Sequence, residues 1–250
     1  MPVLGVIPAR LGSTRLPRKP LQPLGGAPLI HRVIERVRSL GVVDELVVAT
    51  DSEEVAGVAE WAGARWALTS RAHRTGTERV AEAAALPAFQ DFDLIVNVQG
   101  DEPFVSRDAL TGAIARVRGG DDVGSAAAPL APADAGDPAR VKVVLDRNGR
   151  ALYFSRAAIP FVRDPGVRID GLYWQHLGVY ASRRDTLLRW AALPPSTLEL
   201  AEQLEQLRAL EAGLSFGIAR LDTPAIPGID TPDDLRRAEA HWHETQGVTT

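Results

Sequence analysis

An α/β fold with a mainly parallel, helix-covered sheet and a small second lobe is what the sequence predicts. Three observations lead there. The first 130 residues alternate short apolar runs with segments of helical spacing. At 250 residues the chain is long enough to bury a full core and a lobe besides. After residue 130 the alternation gives way to a different rhythm that starts with a hairpin signal.

The runs at 3–7, 45–50, 65–68, 94–98 and 124–130 are short and largely apolar, as strands covered on both faces should be. Between them, 29–40, 52–62, 77–86 and 107–117 carry helical spacing and supply the crossovers that parallel strands need. Further on, 141–146 and 151–155 flank Arg147-Asn148-Gly149-Arg150, whose Asn-Gly core predicts a tight turn. A strand at 176–181 and a helix at 183–192 follow. An amphipathic helix is predicted over 198–212 from Leu198, Leu200, Ala201, Leu204, Leu207 and Leu210, with Thr197 as its cap. The last helix starts at Thr231-Pro232-Asp233-Asp234, which joins an N-cap threonine, a proline in the first turn and an acid at the capping-box position. The expected organisation is a core over 1–130, a lobe over 131–246 that returns to it, within what could be one continuous domain, and a frayed tail at 247–250.

Composition narrows the function. Hydrophobic content of 45% and charge of 24% are ordinary for a globular protein. A net charge of −4 argues against a general nucleic-acid binder. The absence of cysteine excludes a disulfide scaffold, thiolate zinc sites and a cysteine nucleophile. The first apolar run breaks at Pro8 with no basic residue before it, unlike a signal peptide, and no apolar stretch reaches membrane-spanning length. The expectation is a soluble, cytoplasmic protein without a membrane partner.

Two loops carry the chemistry. Residues 1–34 contain no Asp or Glu, whereas Arg10, Arg15, Arg18 and Lys19 crowd ten positions that also hold Gly12, Ser13 and Thr14. Arginine forks, a lysine point charge and backbone N–H groups after the first strand suit a polyphosphate. A solvated basic loop, or a basic patch for another macromolecule, is the alternative. No G-x-x-x-x-G-K-[ST], G-x-G-x-x-G or G-x-S-x-G is present. The run at 94–98 leads into Gln99-Gly100-Asp101-Glu102-Pro103, where Gly100 would allow close backbone approach. Acids at a strand's carboxyl end suit a divalent cation bridging to phosphates, and a plain surface turn is the alternative. Taken alone, Asp230 reads as a helix-start residue. Basic and acidic loops together suggest nucleotidyl transfer, in which the nucleophile belongs to the substrate.

With Ile7-Pro8-Ala9-Arg10, Ser13-Thr14-Arg15-Leu16-Pro17, Lys19-Pro20-Leu21, Val48-Ala49-Thr50-Asp51, His73, Gly76-Thr77-Glu78-Arg79 and Ile95-Val96-Asn97-Val98-Gln99-Gly100-Asp101-Glu102-Pro103, the chain resembles the 3-deoxy-D-manno-octulosonate cytidylyltransferases. Val141-Lys142-Val143-Val144-Leu145-Asp146, Ala151-Leu152-Tyr153-Phe154-Ser155-Arg156, His176-Leu177-Gly178-Val179-Tyr180, Leu204-Glu205-Gln206-Leu207-Arg208 and Asp230-Thr231-Pro232-Asp233-Asp234-Leu235 extend the resemblance over nearly the whole length. It implies a nucleotidyltransferase-like, Rossmann-type core and transfer of CMP from CTP to 3-deoxy-D-manno-octulosonate (Kdo), with Mg²⁺ and release of pyrophosphate, for lipopolysaccharide synthesis. It implies Arg15, Lys19 and Asp101 as catalytic, and Arg10, Ser13, Thr75, Gly76 and Gln99 as nucleotide-binding. Asp101 and Asp230 would hold metal. Arg156, Arg163, His176, Tyr180 and Glu205 would lie on the sugar side, and a homodimer is implied. Arg18 is left as a solvated bystander, and His241 and His243 as unrelated to metal. A cytidylyltransferase for 8-amino-Kdo or a sialic acid, or a non-catalytic nucleotide-binding protein on the same scaffold, are the alternatives.

Overall fold

The computed structural model describes residues 1–164, 166 and 170–246. The chain divides into two compact units, residues 1–106 with the segment from 226 onward, and residues 107–225.

In the first unit, β1 (Val3–Ala9) leads through a loop to the two-residue strands β2 (Pro23–Leu24) and β3 (Ala27–Pro28). Then come α1 (Leu29–Leu40), β4 (Glu45–Thr50), α2 (Glu53–Trp61), β5 (Arg65–Leu68), α3 (Gly76–Ala84) and β6 (Leu94–Val98). The strands stand in the order β5-β4-β1-β6, all parallel, with β1 buried at every position. The parallel sheet and its helical crossovers are as the sequence predicts. Helix α1 forms because Leu29, Ile30, Val33, Ile34, Val37 and Leu40 make one buried stripe at helical spacing, and Gly41 ends it in the left-handed conformation at φ 60°. Ser52 opens α2 by accepting the Val55 N–H at 3.4 Å.

In the second unit, α4 (Arg107–Arg118) precedes β7 (Val123–Leu130), the hairpin β8 (Lys142–Leu145) and β9 (Ala151–Ser155), and β10 (Tyr173–Arg183). α5 (Arg184–Ala191), α6 (Thr197–Glu202), α7 (Gln206–Glu211) and β11 (Phe216–Arg220) complete it. β7 runs parallel to β11 and antiparallel to β10. The Asn-Gly turn forms as expected, with Gly149 at φ 74° and Asp146 Oδ1 accepting the Asn148 and Arg150 amides at 2.8 Å. The core gathers Phe154, Trp190 and Phe216, whose rings meet edge to face with centroids 5.6 Å apart in both pairs. The chain then returns to the first unit with α8 (Pro232–Gln246).

Three local expectations need correction. The helix predicted over 198–212 is two helices, because Gln203 takes a left-handed φ of 53° and the Arg156 side chain draws off the carbonyls of Glu202 and Gln203. Ser196, rather than Thr197, caps α6 in a reciprocal capping box with Glu199. Leu200, counted on the apolar face, is 66% exposed. β11 and the β2–β3 hairpin went unpredicted. Among the described residues no helix is long and apolar enough to cross a membrane.

Candidate active site

The basic loop is ordered by its own backbone. Ser13 N–H donates to the Leu11 carbonyl at 2.8 Å, Ser13 Oγ accepts the Leu16 amide at 3.3 Å, and Leu16 is buried. Arg18 then takes a left-handed φ of 52°, and Lys19 begins a short 3₁₀ turn. That reversal turns Lys19 inward. Its ammonium donates to Asp101 Oδ2 and, at 2.9 Å, to Asp230 Oδ1. Arg15 Nη2 lies 3.1 Å from Asp230 Oδ2. Arg15, Asp230, Lys19 and Asp101 thus form one alternating chain of charges assembled from three distant segments.

The two acids converge for steric reasons. A Cβ at Gly100 would lie 2.8 Å from the Pro8 carbonyl, so only glycine lets the turn after β6 press against the end of β1. The Ile229 N–H donates to the Asp101 carbonyl at 2.9 Å and ties in the segment before α8. Asp234 Oδ2 accepts the amides of Asp230 and Thr231 at 3.2 and 2.8 Å, and Thr231 Oγ1 accepts the Asp234 amide at 3.2 Å. The predicted capping box therefore fixes Asp230 as well as the helix.

Burial works against the Lys19 ammonium, but the charges of Asp101 and Asp230 outweigh it and hold its pKa above the ordinary lysine value. Glu102 goes the other way. Burial pushes its carboxyl up to about 8, and the charges of Asp101 and Asp230 add to the shift while Lys19 opposes it. Its carboxylate sits against Gly228, where a Cβ would come within 2.8 Å of Oε1. Glu102, the second of the two acids that follow the strand, joins the site on this geometry.

The nucleotide candidates also cluster in this unit. A Cβ at Gly76 would stand 3.4 Å from the Gln99 carboxamide and 3.5 Å from Pro8 Cγ, so Gly76, Gln99 and the end of β1 are adjacent. Thr75 has a structural duty too, its Oγ1 accepting the Glu78 amide at 3.2 Å to cap α3. Arg10 is exposed. Arg18 is exposed as well but pairs with Glu54 at 2.5 Å.

The sugar-side candidates lie in the second unit. His176, 7% exposed, has Nε2 2.9 Å from Ser125 Oγ and its ring 4.8 Å from that of Phe154. Burial lowers its pKa to about 3, so it is neutral. Tyr180 is buried and donates to Gln206 Oε1 at 3.2 Å; burial and the Glu205 charge raise its pKa well above the usual value. Glu205 sits half-buried at the start of α7. The Arg156 guanidinium donates to the carbonyls of Glu202, Pro138 and Gln203 at 2.8, 2.9 and 3.2 Å, which leaves only part of its fork for a ligand. Arg163 is exposed; residues 165 and 167–169 beside it lie outside the described chain.

The sequence profile of the cytidylyltransferases matches residues 4–216. A 3-deoxy-manno-octulosonate cytidylyltransferase of Gemmatimonas aurantiaca is 53% identical over 245 residues, covering 97% of this chain and 95% of that protein. The chain belongs to the cytidylyltransferase family. Another member, the 3-deoxy-manno-octulosonate cytidylyltransferase of Polynucleobacter necessarius, is 45% identical over 94% of this chain and 93% of its own. A solved structure of a CMP:2-keto-3-deoxy-manno-octonic acid synthetase complexed with CTP matches with a TM-score of 0.89 at 35% identity, covering 98% of this chain and all of that one. The family fold, a mostly parallel sheet covered by helices, is the fold seen here.

Proposed function

We propose that this chain transfers CMP from CTP to the anomeric hydroxyl of Kdo, giving CMP-Kdo and pyrophosphate for lipopolysaccharide synthesis. The observation that carries the reading is Lys19, held between Asp101 and Asp230 with Arg15 beside them. In the reaction the sugar hydroxyl oxygen forms a bond to the α-phosphorus and gives up its proton to a basic group or to solvent, as the bond to the bridging oxygen of the β-phosphate breaks and pyrophosphate leaves. Negative charge grows on the phosphoryl oxygens and the leaving pyrophosphate, and cations placed beforehand favour that state over the ground state. Lys19 and Arg15 are such cations. Their present carboxylate partners can be exchanged for phosphate oxygens, while Arg10 and Ser13 supply further donors along the loop. Thr75, Gly76 and Gln99 would form the base pocket.

Mg²⁺ fits the acid pair. Among the described residues no cluster of three or more acidic or histidine side chains is built to hold a metal unaided. Two carboxylates are the complement Mg²⁺ takes when phosphates and water supply the rest. Asp101 and Asp230 would hold it, and it would neutralise phosphate charge and raise the electrophilicity of phosphorus. In the second unit, Arg156, Arg163 and Glu205 would supply the charge and hydrogen bonding that a sugar acid requires, with His176 and Tyr180 as further sugar-side residues.

Pyrophosphate release from CTP and Mg²⁺ with Kdo, 8-amino-Kdo or a sialic acid, each in a separate reaction, tests the assignment. Turnover with Kdo at the highest kcat/KM is expected. CTP binding with no pyrophosphate release for any acid would make the chain a non-catalytic binder.

A further inference from the structure

Helix α3 turns one charged face toward the chain that precedes it. Arg79, 3% exposed, donates to Thr69 Oγ1 at 2.6 Å and to Asp51 Oδ2 at 3.2 Å. Glu78 Oε2 accepts the Arg74 amide at 2.8 Å. One turn beyond Glu78, Glu82 Oε2 accepts the Ser70 amide at 2.8 Å and also meets His73 Nε2. Thr69 is tied from its other side, its amide and hydroxyl both donating to the Thr50 carbonyl, at 2.8 and 3.0 Å. Residues 69–75 have no regular secondary structure, and Ser70, Arg71, Ala72 and Arg74 are exposed. Bonds from the helix nonetheless hold this stretch at Thr69, Ser70, His73, Arg74 and Thr75.

The three grips differ in what else they do. Arg79 is buried in the body of the unit and neutralises Asp51, and Glu78 belongs to the capped first turn of α3. Glu82 is partly exposed, and the hydrogen bonds of its carboxylate go to the loop alone among those described. Burial works against its carboxylate, but the Ser70 N–H and His73 outweigh it and keep Glu82 ionised.

We propose that Glu82 is a positioning residue for the nucleotide. By fixing Ser70 and His73 it preforms the loop that runs into Thr75 and Gly76 at the start of α3, so that the ordering cost falls on folding rather than on CTP binding. The inference rests on the reading that Thr75, Gly76 and Gln99 line the base pocket. No contact between Glu82 and substrate is implied.

Steady-state kinetics of Glu82→Ala, Glu82→Gln and Gly76→Ala in the full-length enzyme, with CTP and Kdo varied separately, decide it. Glu82→Ala should raise KM for CTP about tenfold, keep kcat within about threefold and leave KM for Kdo unchanged. Glu82→Gln, whose amide oxygen can still accept the Ser70 N–H, should recover most of the loss. Gly76→Ala probes the pocket directly and should raise KM for CTP whatever Glu82 does. A normal KM for CTP in Glu82→Ala beside a raised one in Gly76→Ala overturns the positioning role alone. Normal values in both overturn the pocket reading beneath it. A KM that rises equally for both substrates, with a lowered Tm, would mark Glu82 as merely structural. If Glu82→Ala does not fold, His73→Ala takes its place, and a CTP-specific rise of about threefold is expected.

Discussion

The polar groups of the two sets of candidate site residues are held in opposite ways. Around Lys19, charged side chains bond mainly to other charged side chains at partly exposed positions, where an arriving ion of either sign could take over a partner. Around His176, Tyr180 and Arg156, polar groups bond to backbone carbonyls or to buried neighbours such as Ser125 and Gln206. The first arrangement can be re-paired at little cost. At His176 and Tyr180 the second cannot, because breaking a buried hydrogen bond leaves an unsatisfied group behind. Substitutions in the charged chain around Lys19 should therefore be read out in rate, and those at His176 and Tyr180 in stability before rate.

The largest effect is expected at Asp101. Asp101→Ala should lower kcat by about a thousandfold or more in a pyrophosphate-release assay, with an unchanged circular dichroism spectrum. Lys19→Ala, which on the proposed reading removes a cation matched to the transition state, should cost about a hundredfold, or ~2.7 kcal/mol, chiefly in kcat rather than in KM for CTP. Near-normal turnover in either variant would break the contrast, because the charged chain would then be an ordinary surface network.

His176 sharpens the other side. In the folded protein its pKa is about 3, against an ordinary 6.5. Between those values the unfolded chain binds more protons than the folded one, so this group's contribution to stability is lost as pH falls through that window. At pH 5 the loss should reach about 2 kcal/mol relative to neutral pH. Urea denaturation at pH 7 and pH 5 would measure it. In His176→Gln the difference between the two pH values should shrink by that amount. An unchanged difference would mean that the ring titrates freely.

Legibility in the sequence follows the same divide. The acid-free loop and the two acids after β6 are local signals, and the parallel strands announce themselves as short apolar runs. Asp230 needed the family motif, since a Thr-Pro-Asp-Asp helix start looks alike whether or not the residue before it reaches Lys19. The raised pKa of Glu102 was hidden, because its carboxyl is buried against a segment around Gly228, remote in the chain. The break at Gln203 was hidden for a similar reason. Helical spacing continues through it, and the bonds from Arg156 that favour the turn come from far upstream. Pattern is also silent about membership. α4 repeats the periodicity of α1 yet belongs to the other unit. β11 is a five-residue run interrupted by Gly217, and it is a strand because β7 pairs with it.

The smallest effect is expected at Arg18, which separates charge from role within a single loop. It neighbours Lys19 and carries the same sign, yet its side chain turns outward to Glu54 and is more than half exposed. An exposed ion pair contributes little to stability, since solvent and salt screen it. The left-handed φ of 52° is a property of the backbone at this position, and alanine bears a similar strain there. Arg18→Ala should thus leave kcat, both KM values and Tm near those of the parent, in the same assay in which Lys19→Ala fails. A loss at Arg18 comparable to that at Lys19 would mean that the loop binds polyphosphate through its summed charge. In that case the inward turn of Lys19 toward Asp101 and Asp230 would not be what sets it apart.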